Sequence, residues 1–243
     1  MSRKFNALLG LGALAFASSA FAQCPSSPVP PWSATNVGGG ASAIAITSPG
    51  YDGTQCKMTS ALGNSGAARA QVRDDTPSNE PRYRAQFLFD PAALSGAGGS
   101  NQAVIFIANA ENPVSGNLAI VRVVYAGSGG GTKRLLFVAA CGAGLCQAPV
   151  DLPVQGGPNR VEFDLTVGAS GTLRYWVTAP GTATNDGSPT GTVAITGGNA
   201  AFVGVNQAFL GLTSPSAAYR NVNTGAIAGF DEFDSRRQTF IGN

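Results

Sequence analysis

The chain has 243 residues, of which 44% are hydrophobic and only 12% charged, with no histidine and a formal net charge of +2. Without an imidazole, Ser-His-Asp triads, Cys-His dyads and histidine-ligated zinc or iron are excluded, so any enzyme here must work through carboxylates. The hydrophobic content is enough to bury a sizeable core, and 33 glycines and 15 prolines favour many short strands joined by turns over long surface helices.

Residues 1–22 carry a basic start at Ser2, Arg3 and Lys4, an apolar run from Phe5 to Ser19, and Ala20-Phe21-Ala22 before Gln23. This is the pattern of a cleaved signal peptide, and its apolar stretch is too short for a membrane span. The expected mature protein is exported to the periplasm or the extracellular space, with no transmembrane segment. Losing Arg3 and Lys4 leaves 13 Lys plus Arg against 13 Asp plus Glu, a formal charge of zero. Such a balance leaves no basic footprint for nucleic acid.

Residues 23–50 are rich in Pro, Ser, Gly and Ala and read as an arm packed on the domain, with one short strand at 43–47. Residues 51–243 read as a single β-sandwich domain. Arg82 to Phe89 sets Tyr83, Ala85, Phe87 and Phe89 against Arg82, Arg84 and Gln86, the period of two of a half-buried strand. Strands follow at 104–108, 118–125 and 134–140 as a meander. Val161 to Val167 is the cleanest alternation in the chain and turns at 168–171 into a hairpin partner at 172–178. The Gly/Thr/Ser/Asn-rich stretch 179–201 holds a short strand at 193–195 and is long enough to be either a site or slack. Strands at 202–205, 208–212 and 226–235 complete about ten or eleven, and two packed antiparallel sheets are the natural way to bury them.

Four cysteines in an exported chain predict disulfides. Three pairings are open on paper. The short, flexible Cys141-Gly-Ala-Gly-Leu-Cys146 loop closes readily, which leaves Cys24 to tie the arm to Cys56.

Glu162 and Asp164 share a strand face two residues apart, an arrangement that lets neighbouring carboxylates act as nucleophile and acid in sugar hydrolysis. The competing reading is a solvated strand face carrying ordinary charges. On the closing strand, Asp231, Glu232 and Asp234 stand beside Arg236 and Arg237; alternation sets Glu232, Asp234 and Arg236 on one side and Asp231 and Arg237 on the other, where cross-strand ion pairing accounts for them. Trp176 is expected in the core, and Trp32 is expected to pin the arm to the domain.

Three stretches, Asp74-Asp75-Thr76-Pro77 through Phe87, Arg160-Val161-Glu162-Phe163 through Val177, and Gly229 through Arg237, resemble the concanavalin A-like lectin/glucanase superfamily, laminin G-like domains included, in its secreted bacterial form. The resemblance spans about residues 70–243 and implies an all-β, two-sheet antiparallel jelly-roll β-sandwich. The superfamily's retaining glucanases have E-x-D-x-x-E; here Glu162-x-Asp164-x-x-Val167 lacks the third carboxylate, which removes the expected acid/base. In similar glucanases an aspartate of the closing strand helps hold a structural calcium, and Asp231 occupies that place, with Asp74 or Asp75 as partners; no other cofactor is expected. The leading functional expectation is a secreted, non-catalytic recognition or envelope-associated module, its partner a glycan or cell-envelope component. The alternatives are a carbohydrate-active hydrolase using Glu162 and Asp164, and a structural protein with no small-molecule site.

Overall fold

A computed structural model describes residues 24–26, 32–142, 144–236 and 239–242. The leader (1–22) and Arg237 lie outside the described residues. The first sheet contains, in spatial order, β1 (Ala34–Gly38), β4 (Arg69–Asp74), β13 (Val205–Thr213), β6 (Gln102–Asn112), β7 (Gly116–Gly127), β8 (Lys133–Cys141) and β9 (Gly144–Asp151). The second contains β12 (Gly191–Ala194), β11 (Thr172–Thr178), β10 (Asn159–Thr166), β5 (Arg82–Asp90), β14 (Ile227–Arg236), β3 (Lys57–Ala61) and β2 (Ala43–Thr47). Neighbouring strands are antiparallel throughout both sheets. Among the described residues a single short helix, α1 (Ala217–Asn223), joins β13 to β14, with the Ser216 side chain accepting from Tyr219 N at its start. It is too short and too polar to cross a membrane, as is every helix among the described residues.

Alternation decides which side chains meet between the sheets. Tyr83, Ala85, Phe87 and Phe89 of β5 and Val161, Phe163 and Leu165 of β10 all reach the core fully buried. Phe106 of β6 stacks on Phe87 at 5.7 Å and meets Phe163 edge-on at 5.0 Å. Each such ring contributes roughly 1.5–3 kcal/mol by leaving water, which fixes the register of its strand, because a one-residue slip would turn it outward.

Several elements differ from the sequence reading. In the segment read as an arm the expected strand at 43–47 forms as β2, an edge strand paired with β3, while β1, absent from the reading, adds an edge strand to the first sheet by pairing with β4. β9, absent from the reading, pairs with β8 along its whole length. Phe202 to Gly204 lie outside any strand, and β13 begins at Val205. A register shift between Asp231 and Asp234, with Glu232 at φ 49°, interrupts the strict alternation expected of the closing strand. Both disulfides form as expected, Cys24–Cys56 and Cys141–Cys146, with Cα separations of 5.7 and 5.8 Å. Trp32 meets Phe233 at 4.7 Å, fastening the arm to the closing strand just before β1.

At Gly229 of β14 the backbone itself is a packing surface: a Cβ there would collide with the Tyr51 hydroxyl and ring. Tyr51 donates to Asp90 Oδ2 at 2.9 Å, and its backbone N–H donates to Asp231 Oδ2 at 2.7 Å.

Candidate functional site

The outward face of the second sheet, turned away from the core, is polar and nevertheless buried. Arg84, Gln86, Arg160, Glu162 and Asp164 are between 0% and 7% exposed. The sequence reading of a solvated strand face is therefore corrected. Segment 179–190 and residues 239–242 lie over it, and neither carries a periodic signal from which a cover could be read.

Register brings the charges together. Asp164 on β10 stands directly opposite Arg84 on β5 and Arg174 on β11, and Arg82 is one pleat along on β5. Arg82 grips the Asp164 carboxylate with a two-pronged contact, Nε to Oδ1 and Nη2 to Oδ2, both at 3.0 Å. Arg84 Nη2 and Arg174 Nη2 add contacts to Oδ2 at 3.0 and 2.5 Å. The same two guanidiniums reach Asp186 Oδ1, at 2.8 and 2.9 Å, while Arg174 Nη1 donates to the Asp186 carbonyl at 2.9 Å. Trp176 is buried, but on this outward face opposite Glu162 rather than in the core between the sheets where it was expected, because alternation turns Tyr175 inward instead; its indole N–H donates to the Asn185 carbonyl at 3.0 Å. Asp186 and Arg174 thus tie the 179–190 segment down on the sheet.

Glu162 faces a different partner. Its Oε1 accepts from Ile241 N at 3.1 Å and its Oε2 from Gly242 N at 3.2 Å. The Gly242 carbonyl accepts from Arg160 Nη1 at 3.2 Å and, with the amide oriented to satisfy both its neighbours, from the Gln86 nitrogen at 2.7 Å. Phe240 lies 5.1 Å from the Trp176 ring and beneath the Arg84 guanidinium at 5.5 Å. Arg84 Nε and Nη1 are buried without a hydrogen-bond partner.

The two neighbouring carboxyls are pulled in opposite directions. Burial pushes Glu162 up, only partly offset by the backbone N–H groups of Ile241 and Gly242. Burial would push Asp164 up as well, but its hydrogen bonds to Arg82 and Arg174, with the charge of Arg84, outweigh that and hold it low. Asp186 is also lowered, chiefly by its hydrogen bond from Arg84.

The remaining predicted residues lie elsewhere. Asp231 accepts from Tyr51 N, from the Thr54 hydroxyl at 2.5 Å and, through Oδ1, from Glu232 N at 2.9 Å. Asp74 belongs to the first sheet and accepts from Thr76 N at 2.8 Å, while Asp75 pairs with Arg73 and accepts from Gln207. The structure does not bring Asp74 or Asp75 to Asp231, and no group of three or more His, Cys, Asp or Glu among the described residues is placed to hold a metal ion. Sequence reasoning noted Arg82 and Arg84 only as polar strand positions, and it missed Asp186; the strand pairing that joins the arginines to Asp164, and the fold-back that brings Asp186 to them, leave no trace in a single sequence.

Scanned against protein-family models the chain matches none, and a search of curated proteins finds no match. Solved structures do share its architecture. A cellulose-induced protein aligns with a TM-score of 0.55 at 16% identity, over 88% of this chain and 93% of its own. A family 7 alginate lyase bound to its substrate, in a form with a histidine replaced by asparagine and a tyrosine by phenylalanine, aligns at 0.53 and 14%, covering 81% and 82%. An alginate lyase of Pseudomonas aeruginosa aligns at 0.51 and 14%, covering 75% and 83%. Likeness at these identities shows the fold alone: the chain is an all-β, two-sheet antiparallel jelly-roll β-sandwich.

Proposed function

We propose that this chain is an exported, non-catalytic glycan-recognition module that takes an acidic sugar on the outward face of the second sheet. The observation that carries this reading is the arginine cluster around Asp164. Three guanidiniums (Arg82, Arg84, Arg174) against two carboxylates (Asp164, Asp186) leave one positive charge in excess. Arg82 and Arg174 are 32% and 27% exposed, so planar donors suited to a sugar carboxylate reach solvent at the edge of the cluster. The alginate-binding of structural neighbours supports the same ligand class by analogy of fold. Export accords with the two disulfides.

A hydrolase reading has less support, because both oxygens of Asp164 are held by arginines and both oxygens of Glu162 accept backbone N–H groups. A base is also hard to find. The chain has no histidine, Tyr83, Tyr125, Tyr175 and Tyr219 belong to the core, and Tyr51 bonds Asp90.

Titration calorimetry with a hexuronate oligosaccharide and with a neutral glucan oligosaccharide tests the proposal. Binding to the uronate alone, weakened by salt, lost in Arg174→Ala and unaccompanied by new reducing or unsaturated ends, is the expected result. Turnover abolished by Glu162→Gln would replace this reading with the hydrolase, and no binding of either sugar would leave the structural role.

A further inference from the structure

Residues 239–242 belong to no strand. They meet the second sheet through side chains on its outward face, and every strand of both sheets is complete without them. Yet the face receives them as a binding site receives a peptide. A carboxylate accepts two successive backbone N–H groups, Arg160 and Gln86 take the following carbonyl, and an aromatic side chain is seated between Trp176 and Arg84. Glu162 and Arg84, which do most of this, are 1% and 0% exposed. Two of the Arg84 donors, Nε and Nη1, have no hydrogen-bond partner, a costly arrangement for a buried cation. Phe240 offers that cation only its ring.

From this we infer that the outward face of the second sheet is a peptide site for an extended aromatic-X-Gly segment, that its resident ligand is the chain's own Phe240-Ile241-Gly242, and that this segment competes with the acidic sugar. The last part rests on the glycan reading above; the peptide site does not. The competition follows from Arg84. Arg84 is wholly buried with the Phe240 ring against its guanidinium, so a sugar carboxylate that engages Arg82 and Arg174 gains the bare Arg84 donors only in molecules from which the segment has left. The measured affinity for the sugar is then the intrinsic affinity reduced by the fraction of molecules in which the segment has left.

The test uses the full chain with Trp32→Phe, so that Trp176 is its only tryptophan. Two variants release the segment at its far end, outside the core: Phe240→Ala removes the ring, and Gly242→Pro removes the N–H held by Glu162 and cannot adopt the φ of 64° found there. Quenching of Trp176 by acrylamide should rise several-fold in both. A Thr-Phe-Ile-Gly peptide added in trans should restore protection saturably to Phe240→Ala, and its Thr-Ala-Ile-Gly counterpart should not. Hexuronate should bind Phe240→Ala about tenfold more tightly than the parent if the segment is docked nine-tenths of the time. Unchanged quenching in both variants, or no protection by the peptide, overturns the peptide site. Equal sugar affinity in parent and variant overturns the competition while sparing the glycan reading. Peptide protection with no sugar binding to either protein upholds the peptide site and removes the glycan reading.

Discussion

On the outward face of the first sheet, Val104, Val124 and Val138 lie side by side with Ile107 and Leu136 and are 7–9% exposed, a small apolar cluster separate from the main core. On the outward face of the second, Arg84, Gln86, Arg160, Glu162 and Asp164 are buried as deeply or more so, but beneath two segments of the chain that bring hydrogen-bonding partners with them. The apolar group needs only contiguity, because dispersion and water exclusion have no preferred direction. The charged group needs named partners at set distances, since a buried charge left alone is far costlier than a buried methyl left loose. The second sheet is accordingly the region where single substitutions should do most harm.

The largest effect is expected at Asp164. Asp164→Ala leaves Arg84, wholly buried, without its carboxylate on β10, and should cost about 3–5 kcal/mol in urea unfolding. Replacing Asp164 and Arg84 together, by leucine and methionine, should recover much of that loss. A recovery near zero would show that the pair contributes net stability rather than mutual necessity.

Acid titration sharpens the contrast within the charged face. The folded Asp164 and Asp186 carboxyls lie below their ordinary values, so the stability they contribute is present above the unfolded aspartate value and is lost as pH falls through the folded one. Glu162 is raised, so its contribution is present below the unfolded glutamate value and is lost as pH rises through the folded one. Between about pH 3 and 6, the acid loss of stability should become shallower in Asp164→Asn and steeper in Glu162→Gln, each by no more than about 1.4 kcal/mol per pH unit. The same slope in all three proteins would refute the opposed shifts.

The smallest effect belongs to the apolar face. Val124→Ala should cost about 1–2 kcal/mol with no change in pH dependence. A loss as large as that at Asp164 would mean that the valine cluster is held more tightly than contiguity requires.

Much of the sandwich was legible because half of each central strand is strongly apolar. β5 and β10 announce themselves through Tyr83, Phe87, Phe89, Phe163 and Leu165, each opposed by a polar neighbour. β4 hides its core face behind the small Ala70 and Val72 amid Arg69, Gln71 and Arg73, and β9 carries Pro149 and a glycine start, the marks of a turn that an edge strand also tolerates. The candidate site was half legible for a related reason. Alternation puts Glu162 and Asp164 on one face, but it carries no information about what lies above that face or which strands lie beside it. The partners of Asp164 come from β5 and β11, the Asp186 that shares two of them from the 179–190 segment, and the partners of Glu162 from residue 241 onward, all long-range choices made by the fold.

The close fit of Tyr51 against Gly229 also has a meaning for relatives of this chain. One hydrogen atom in the closing strand is what allows the phenol ring to lie there, and with it the loop that leads into the Cys24–Cys56 crosslink. A homologue bearing alanine or anything larger at that spot must turn the phenol aside and give up its bond to Asp90, so position 229 serves as a marker of whether a relative keeps that contact between the loop and β5.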